Sequence, residues 1–177
     1  MDGPADHDLM ARTAQGDGRA FQILARRHAG RALALARRIL RNEALAEEVV
    51  QDALLRVWIN APRWRPEAAF RTWLYRIVVN LCLNARRRAS DLPLAAADHV
   101  ADAAPAADVQ LEARERDRRL AAAVDALPPR QRAAITLTYQ EGLGNAEVAA
   151  VLDTSVSGVE TLLVRARRAV RAALENE

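Results

Sequence analysis

The sequence predicts an all-α protein made of two small helical domains joined by a flexible acidic linker. Apolar residues recur at helical spacing along most of the 177 residues, and clean period-two runs of β-branched residues are missing. One stretch breaks the helical pattern: residues 89–108 are rich in Ala, Asp and Pro and contain no large periodic hydrophobic residues. We therefore expect domains at 1–88 and 109–177, with 89–108 as the linker.

The charge pattern supports the same division and indicates an anionic partner. All 26 basic residues are Arg, and the formal net charge is +3. Residues 1–88 carry 16 Arg against nine acids, 89–117 carry two against seven, and 118–177 carry eight against seven. Four of the eight Arg residues in 118–177 lie in RARRAVR, 165–171. Because polyanion binding depends on local density of positive charge, the two ends are the candidate nucleic-acid surfaces.

The single cysteine and the apolar runs exclude several protein classes. Cys82 lies inside an apolar helical pattern and has no possible intramolecular disulfide partner, so we expect a core residue. The stretch MDGPADHDLM is acidic and unlike a signal peptide, and no segment has the 18 or more apolar residues of a membrane helix. We expect a soluble, cytoplasmic protein that does not insert into membranes.

Four helices are predicted in the first domain, at about 6–15, 19–40, 42–60 and 69–88. Asn42 is placed to cap the third helix. The stretch 61–69, APRWRPEAA, contains two Pro and is predicted to be a loop.

The fourth helix, FRTWLYRIVVNLCLNARRR at 70–88, has two apolar stripes instead of one. The first is Phe70, Leu74, Ile77 and Leu81, and the second is Tyr75, Val79, Cys82 and Leu83. We expect the first stripe to pack on its own domain and neighbouring helices to cover the second. Between them lies a polar strip: Trp73, Arg76, Asn80, Asn84 and Arg87.

The second domain contains a helix-turn-helix pattern. Helices are predicted at 109–126 and 130–139, followed by NAEVAAVLDTSVSGVETLLVRARRAVR. Asn145 is placed to cap the first helix of the motif, Ala149 is small where two helices cross, Asp153 falls in the turn, and Val159 faces back. The outward face of the second helix would meet the major groove, although an ordinary helical hairpin with a basic end fits the same residues.

Several stretches together resemble the extracytoplasmic-function (ECF) group of sigma-70-type RNA polymerase sigma factors. ALAEEVVQDALLRVW, 44–58, is similar to region 2.2, and the helix at 70–88 to regions 2.3 and 2.4. LPPRQRAAITLTYQEGLGNAEVAAVL with SVSGVETLLVRARRAVR is similar to region 4. The resemblance implies a sigma factor that directs core RNA polymerase to promoters and assists promoter melting at transcription initiation.

The resemblance also implies three binding surfaces. The polymerase-binding surface is Glu47, Glu48, Gln51, Asp52, Leu55 and Trp58, although acids are also favourable near a helix N-terminus. The −10 promoter surface is Arg63, Trp64, Arg65, Arg76, Asn80, Asn84 and Arg87; it combines a stacking ring, amides and cations, while Trp73 fits the core equally well. The −35 promoter surface is Ser155, Ser157, Gly158, Thr161, Arg165 and Arg168.

The chain departs from the family pattern in two places, the second helix of the helix-turn-helix and the polar strip at 70–88. Many members have Gly-Thr and a basic residue where this chain has Ser157-Gly158 and Leu162, and many have Asp in place of Asn84. The promoter sequence therefore does not follow from the resemblance.

The expected partners are core RNA polymerase, promoter DNA and an anti-sigma factor released under stress, with one copy of the chain bound to polymerase. The alternative is an autonomous helix-turn-helix regulator that binds duplex DNA. An enzyme is not expected, because His7, His28 and His99 are isolated and no phosphate-binding loop or nucleophile-base motif is present. We therefore predict no catalytic residue, metal or cofactor.

Overall fold

The computed structural model describes residues 4–91 and 108–175, so most of the predicted linker lies outside the described residues. The elements within those ranges are helical. They are α1 (Asp6–Ala14), α2 (Gly18–Leu40), α3 (Glu43–Asn60), α4 (Phe70–Asp91), α5 (Asp108–Asp125), α6 (Pro129–Ile135), α7 (Asn145–Leu152) and α8 (Val156–Glu175). The predicted all-α fold is confirmed, and the predicted helices agree with the observed ones to within a few residues.

Capping residues set the helix boundaries of the first unit. Asp17 precedes α2, and its carboxylate accepts hydrogen bonds from the backbone N–H groups of Arg19 (2.9 Å) and Ala20 (3.1 Å). The hydrogen bond from Ala20 and the pairing with Arg12 lower the pKa of Asp17. Asn42 caps α3 as predicted, with its side-chain oxygen accepting from Leu45 N at 2.9 Å.

Helices α1 to α4 pack as a bundle around a common apolar core, with α2 against each of the other three. Side chains from every helix of the bundle are fully buried, among them Leu9, Leu35, Val57 and Leu74. The predicted loop after α3 contains a short 3-10 helix, Ala61–Arg63. Cys82 is fully buried, and burial raises the pKa of its thiol to about 12, which keeps it protonated and unreactive.

A polar contact attaches α1 to this bundle. His28 of α2 lies against the Phe70 ring, with 4.9 Å between the ring centroids, and its Nε2 is 2.8 Å from the Asp6 carboxylate. Arg27 pairs with the other oxygen of Asp6 at 2.6 Å. Burial lowers the pKa of His28, with the Asp6 charge acting in the opposite direction.

Helices α5 to α8 form the second unit, in which α7 and α8 are the helix-turn-helix. Asp153 lies in the turn with a left-handed φ of 51°, while Ala149 and Val159 are buried as predicted. The cap of α7 differs from the prediction, because Gly144 precedes the helix and its N–H donates to Glu147 Oε2 at 3.0 Å. A π-helical turn at Thr136–Gln140, which the periodicity did not predict, continues α6.

The buried residues of the two units form one continuous apolar cluster. Helix α7 packs along α4, so the second stripe of α4 is covered partly by the other unit: Tyr75, Val79 and Cys82 are fully buried. In the first stripe Phe70 and Leu74 are buried as expected. Ile77 and Leu81 are only partly buried, so that half of the expected core stripe is a surface feature.

Within the part of the chain that the structure describes, none of the helices is both long and apolar enough to span a membrane.

Candidate nucleic-acid interface

A groove of about 590 Å³ is lined by the exposed side of α4, the end of α3 and the loop that follows α3. Its lining includes four cations, Arg56, Arg63, Arg65 and Arg76, against the single carboxylate of Glu67. The lining also contains amides, indole rings and aliphatic side chains. A cationic groove with aromatic walls suits a single-stranded nucleic acid, whose phosphates need positive charge and whose bases need flat surfaces.

The groove brings together most of the residues predicted for the −10 surface. Those that line it are Arg63, Trp64, Arg65, Arg76, Asn80 and Asn84. Arg87 does not line the groove, but its guanidinium donates to Asn84 Oδ1 at 3.2 Å, which places it at the same end. The side chains of Asn80 and Asn84 are exposed, so their amide groups are accessible from solvent.

Two tryptophans form the aromatic wall of the groove. The rings of Trp64 and Trp73 lie 6.4 Å apart and are inclined by 56°, and Trp73 packs in turn on Phe70 at 6.1 Å. Both indoles are partly buried and both line the groove. Trp73 therefore packs on the bundle with one side and faces the groove with another.

The sequence did not single out several groove residues. Arg56 and Asn60 extend the polar lining from the end of α3, and Ile77 and Leu81 form its apolar floor. Asn60 Nδ2 donates to the carbonyl of Arg56 at 2.8 Å. Arg56 and Asn60 are one helical turn apart and lie directly before the loop Arg63–Trp64–Arg65. This spacing is the sequence signal that could have identified these two residues.

The predicted polymerase-binding residues lie along the outer face of α3. Four of them are exposed: Glu47, Glu48, Gln51 and Leu55. The other two make contacts within the unit. Asp52 pairs with Arg56 at 3.1 Å, and Trp58 packs edge-on against Phe21 with 5.2 Å between ring centroids. Ile59, one turn beyond Leu55 and 62% exposed, extends the apolar part of this face and was missed.

The predicted −35 residues lie in the turn before α8 and along α8 as far as Arg168. Ser157, Thr161, Arg165 and Arg168 are exposed on the outward side. Ser155 has a structural role, because its Oγ accepts from the N–H of Gly158 at 3.1 Å and so begins α8. The hydroxyl of Thr161 donates to the carbonyl of Ser157 at 2.9 Å.

Gly158 contributes to this surface through its backbone. A Cβ at this position would come within 2.5 Å of Thr154 Oγ1 and 3.3 Å of Ser155 Oγ. The absence of a side chain lets the turn pack closely on the first turn of α8, so Gly158 shapes the surface and presents only backbone to a ligand.

Comparison with known proteins identifies this arrangement. The family models for Sigma-70 region 2 and for Sigma-70, region 4 match residues 24–91 and 117–170. The chain is 36% identical over 165 residues to ECF RNA polymerase sigma factor SigM of Mycobacterium tuberculosis, covering 92% of this chain and 81% of SigM. The chain belongs to the ECF group of sigma-70 family RNA polymerase sigma factors.

Two further relatives agree with this assignment. ECF RNA polymerase sigma factor SigE of Mycolicibacterium smegmatis is 36% identical over 156 residues, which cover 86% of this sigma factor and 60% of SigE. CnrH of Cupriavidus metallidurans, also an RNA polymerase sigma factor, is 35% identical over 184 residues, 97% of this chain and 95% of CnrH. A solved structure of CnrH in complex with the cytosolic domain of CnrY matches with a TM-score of 0.71 and 33% identity, over 98% of this chain and 99% of that chain.

The family models also locate the structural features of this sigma factor. The region 2 match contains the groove and the outer face of α3, and the region 4 match contains α7 and most of α8. The alternative of an autonomous regulator is not favoured, because the match extends over the first unit as well as the helix-turn-helix.

Proposed function

We propose that this sigma factor brings core RNA polymerase to promoters and holds the opened −10 element in the groove along α4. The observation that carries the proposal is the composition of that groove: indole rings, amides and Arg side chains line one cleft. In this role the chain is a non-catalytic specificity subunit that acts in the cytoplasm, where the chromosome is transcribed.

The groove supplies the three kinds of contact that an unpaired base needs. Stacking on an aromatic ring is worth roughly 1–3 kcal/mol per base, which offsets much of the cost of removing that base from the duplex. Trp64 is the stacking surface, Asn80 is placed to read a base edge, and Arg63 and Arg65 are placed to pair with the backbone phosphates.

The outer face of α3 is the proposed docking surface for core polymerase. It combines the exposed carboxylates of Glu47 and Glu48 with the amide of Gln51 and the exposed side chain of Leu55. A patch with a small apolar centre and an acidic rim suits a partner helix with basic residues around an apolar stripe. Adding Ile59 to this surface enlarges the apolar centre.

The outward face of α8 is the proposed reader of the −35 element. Ser157 and Thr161 lie near the N-terminus of the helix, where the recognition helix of such a motif approaches base edges, and Arg165 and Arg168 lie further along. The hydroxyls can read bases, while the guanidiniums can contact bases or phosphates.

An anti-sigma factor is the further partner that the family relationship suggests. Such a protein would compete with polymerase for the exposed face of α3 and would release the sigma factor under an inducing condition. The complex of CnrH with the cytosolic domain of CnrY supports a protein partner of this kind.

Transcription reconstituted from purified core polymerase, this chain and a promoter library tests the function. We expect start sites that share a −10 and a −35 element and that require the chain. If core polymerase with the chain starts no more specifically than core polymerase alone, the proposal fails. An autonomous regulator would instead bind duplex DNA without polymerase and with a steep dependence on salt.

The groove is tested by replacing Asn80 and Arg87 with Ala together. Open-complex formation, followed by permanganate reactivity of the −10 thymines, should fall about tenfold or more, since a base-edge contact and a cation are both lost. The matched control is Gln22→Ala with Arg26→Ala, an exposed amide and guanidinium one turn apart on α2. Equal permanganate reactivity in the two double variants would show that the groove does not hold the −10 bases.

A further inference from the structure

Helix α1 lies against the segment that carries Trp64, the proposed stacking ring of the groove. It packs on the short 3-10 helix Ala61–Arg63, which leads directly into Trp64. The imidazole of His7 contacts the Trp64 indole, with 5.9 Å between the ring centroids and 57° between the ring planes. Inclined aromatic pairs with centroids about 4.5–7 Å apart are favourable. His7 does not itself line the groove, so it acts on the groove only through the indole.

The second ring neighbour of Trp64 comes from α4. The Trp73 indole lies 6.4 Å away, so Trp64 is held between aromatic side chains of two helices. Trp64 also begins a non-helical stretch that extends to Ala69. Because regular backbone hydrogen bonds do not fix that stretch, the orientation of the indole depends on its ring contacts.

A row of contacting rings leads from Trp73 back to α1. Trp73 packs on Phe70 at 6.1 Å between centroids, and Phe70 lies 4.9 Å from the ring of His28. His28 Nε2 is 2.8 Å from the carboxylate of Asp6, the residue before His7. Helix α1 therefore contacts both ends of the row of rings, one through His7 and the other through Asp6.

The start of α1 is fixed by polar contacts on both sides of this turn. The Asp6 carboxylate also pairs with Arg27 at 2.6 Å, and Nη1 of that guanidinium donates to the carbonyl of Pro4 at 3.0 Å. Leu9, in the same turn of α1, is fully buried. His7 lies between these anchored residues, so the helix holds its imidazole against the indole.

A stacking ring binds a base more tightly when its orientation is fixed beforehand, because less conformational freedom is lost on binding. The gain expected from fixing one large side chain is about three- to tenfold in affinity. Removal of one of the two ring neighbours of Trp64 should forfeit a gain of this size.

We propose that α1 is a positioning element of the groove. His7 is a positioning residue that holds the Trp64 indole in the orientation that stacks on an unpaired −10 base, and Asp6 fixes α1 for that role. Helix α1 lies outside the matched Sigma-70 region 2, which begins at residue 24. The positioning role rests on the proposed function of the groove.

Nuclear magnetic resonance of the full chain measures the positioning without DNA. Wild type should show nuclear Overhauser effects between the ring protons of His7 and Trp64, and a ¹⁵N order parameter of the Trp64 indole N–H near that of rigid backbone, about 0.85. His7→Ala should lower this order parameter, whereas His7→Phe, which keeps a ring, should retain it. Gln15→Ala removes an exposed side chain at the other end of α1 and is the matched control. An indole that is equally ordered in wild type and His7→Ala would overturn the proposal.

The same variants test −10 binding in the reconstituted holoenzyme. The probe is a single-stranded −10 oligonucleotide from the start sites found with that holoenzyme, carrying 2-aminopurine at one position at a time, whose fluorescence falls on stacking. His7→Ala should weaken binding about three- to tenfold and raise the bound-state fluorescence at one position, and His7→Phe should bind within about twofold of wild type. The His7 side chain is 60% exposed, so urea denaturation should show the same stability for both variants and wild type. Equal losses of affinity in His7→Ala and His7→Phe would overturn the proposal.

A double-mutant cycle shows whether His7 acts through the indole. Trp64→Ala should weaken binding of the oligonucleotide about tenfold or more, because the stacking surface is lost. In that background His7→Ala should have no further effect. If His7→Ala weakens binding by the same factor with and without the indole, its contribution does not pass through Trp64 and the proposal is overturned.

Asp6→Ala tests the anchor of α1. It should weaken binding of the oligonucleotide about threefold, and this loss should also vanish in the Trp64→Ala background. Asp117→Ala removes the same charge from an exposed position of α5 and is the matched control. If the Asp6→Ala and Asp117→Ala holoenzymes bind with equal affinity, the anchoring role of Asp6 is wrong.

Failure of this inference differs from failure of the proposed function. If Trp64→Ala leaves binding of the oligonucleotide by the holoenzyme unchanged, the assignment of the groove fails. If Trp64→Ala weakens binding while His7→Ala does not, the positioning by α1 is wrong and the groove's function stands.

Discussion

Removal of the Arg132 side chain should cost stability, because its buried guanidinium joins three chain segments. It is 2% exposed and donates to the carbonyl oxygens of Ile39 (3.0 Å), Leu127 (2.9 Å) and Asp125. Ile39 is near the end of α2, in the first unit, while the other two carbonyls follow or end α5. One side chain therefore satisfies the ends of two helices and connects the two units.

The loss of stability expected on replacing Arg132 is the difference between two opposing contributions. Burial lowers the pKa of Arg132, while the nearby charge of Asp125 raises it, and the group stays protonated as an arginine does in proteins. Replacing Arg132 with Met removes a buried charge, which recovers several kcal/mol of desolvation. It also loses three charge-assisted hydrogen bonds, each worth about 1.5–3 kcal/mol. The net expectation is a loss of about 3 kcal/mol, or about a hundredfold in the unfolding equilibrium.

Urea denaturation followed by far-ultraviolet circular dichroism measures this loss. Arg118→Met, at an exposed position of α5, is the matched control and should change the free energy of unfolding by less than about 0.5 kcal/mol. Arg132→Lys keeps the charge but lacks the planar guanidinium that reaches three carbonyls. Its loss of unfolding free energy should therefore lie between those of Arg118→Met and Arg132→Met. If Arg132→Met lowers the free energy of unfolding by less than about 1 kcal/mol, the desolvation penalty of the guanidinium outweighs most of its hydrogen bonds, and the expected stabilisation by Arg132 is refuted.

Four further predictions follow from single sites. Arg165→Ala should weaken promoters that depend on the −35 element about tenfold in reconstituted transcription, and an unchanged −35 footprint would contradict the assignment. Gly158→Ala should change the free energy of unfolding more favourably, by about 0.5–1 kcal/mol, in a Thr154→Ala background than in wild type, because the clash with Thr154 Oγ1 is removed and the gain in helix propensity remains. Urea denaturation of wild type, the two single variants and the double variant measures this difference, and purely additive effects would contradict it. Because the pKa of His28 is lowered in the folded state, the unfolded chain binds more protons, and the free energy of unfolding should fall as the pH drops below about 6.5. His28→Gln should reduce this pH dependence in urea denaturation. An unaltered pH dependence would show that other groups cause it. Cys82 should react with a thiol reagent only at the rate at which the chain opens, since its thiol is buried and its pKa is raised to about 12, and rapid labelling of the native chain would contradict this burial.

Much of the fold could be predicted from the sequence because helical periodicity is a local property. The predicted start of α3 depends on Asn42, whose side chain caps a backbone N–H three residues away, and the structure shows Asp17 capping α2 in the same way. The π-helical turn at Thr136–Gln140 gave no such signal, because it is the last turn of its helix and no later turns follow in which an extra residue would shift the apolar pattern.

The packing of the units on each other could not be predicted from periodicity. The second stripe of α4 identified Tyr75 and Val79 as needing cover, but a pattern within one helix does not specify which helix provides it. The same limit applies to the groove. Periodicity does not specify the distance between the loop after α3 and Asn80, so the positions of Arg56, Ile77 and Leu81 in the groove lining depend on how the elements pack together.

The contacts between the two units differ in strength, so they differ in how much each contributes to the association of the units. The Arg76–Asp153 pair has side chains that are 50% and 77% exposed, so it contributes at most about 1 kcal/mol and is screened by salt. Tyr75 is fully buried, its pKa is raised first by burial and then by Glu141, and its hydroxyl donates to a charged carboxylate. A hydrogen bond of that kind is worth more, about 1.5–3 kcal/mol, and it adds to the apolar contact around Val79. The association of the units should therefore depend mainly on the buried contacts of Tyr75 with Glu141 and of Arg132 with the carbonyl of Ile39, and little on the exposed Arg76–Asp153 pair. Glu141→Arg alone should enlarge the chain in solution, while Asp153→Arg alone should free Arg76 and leave the units together.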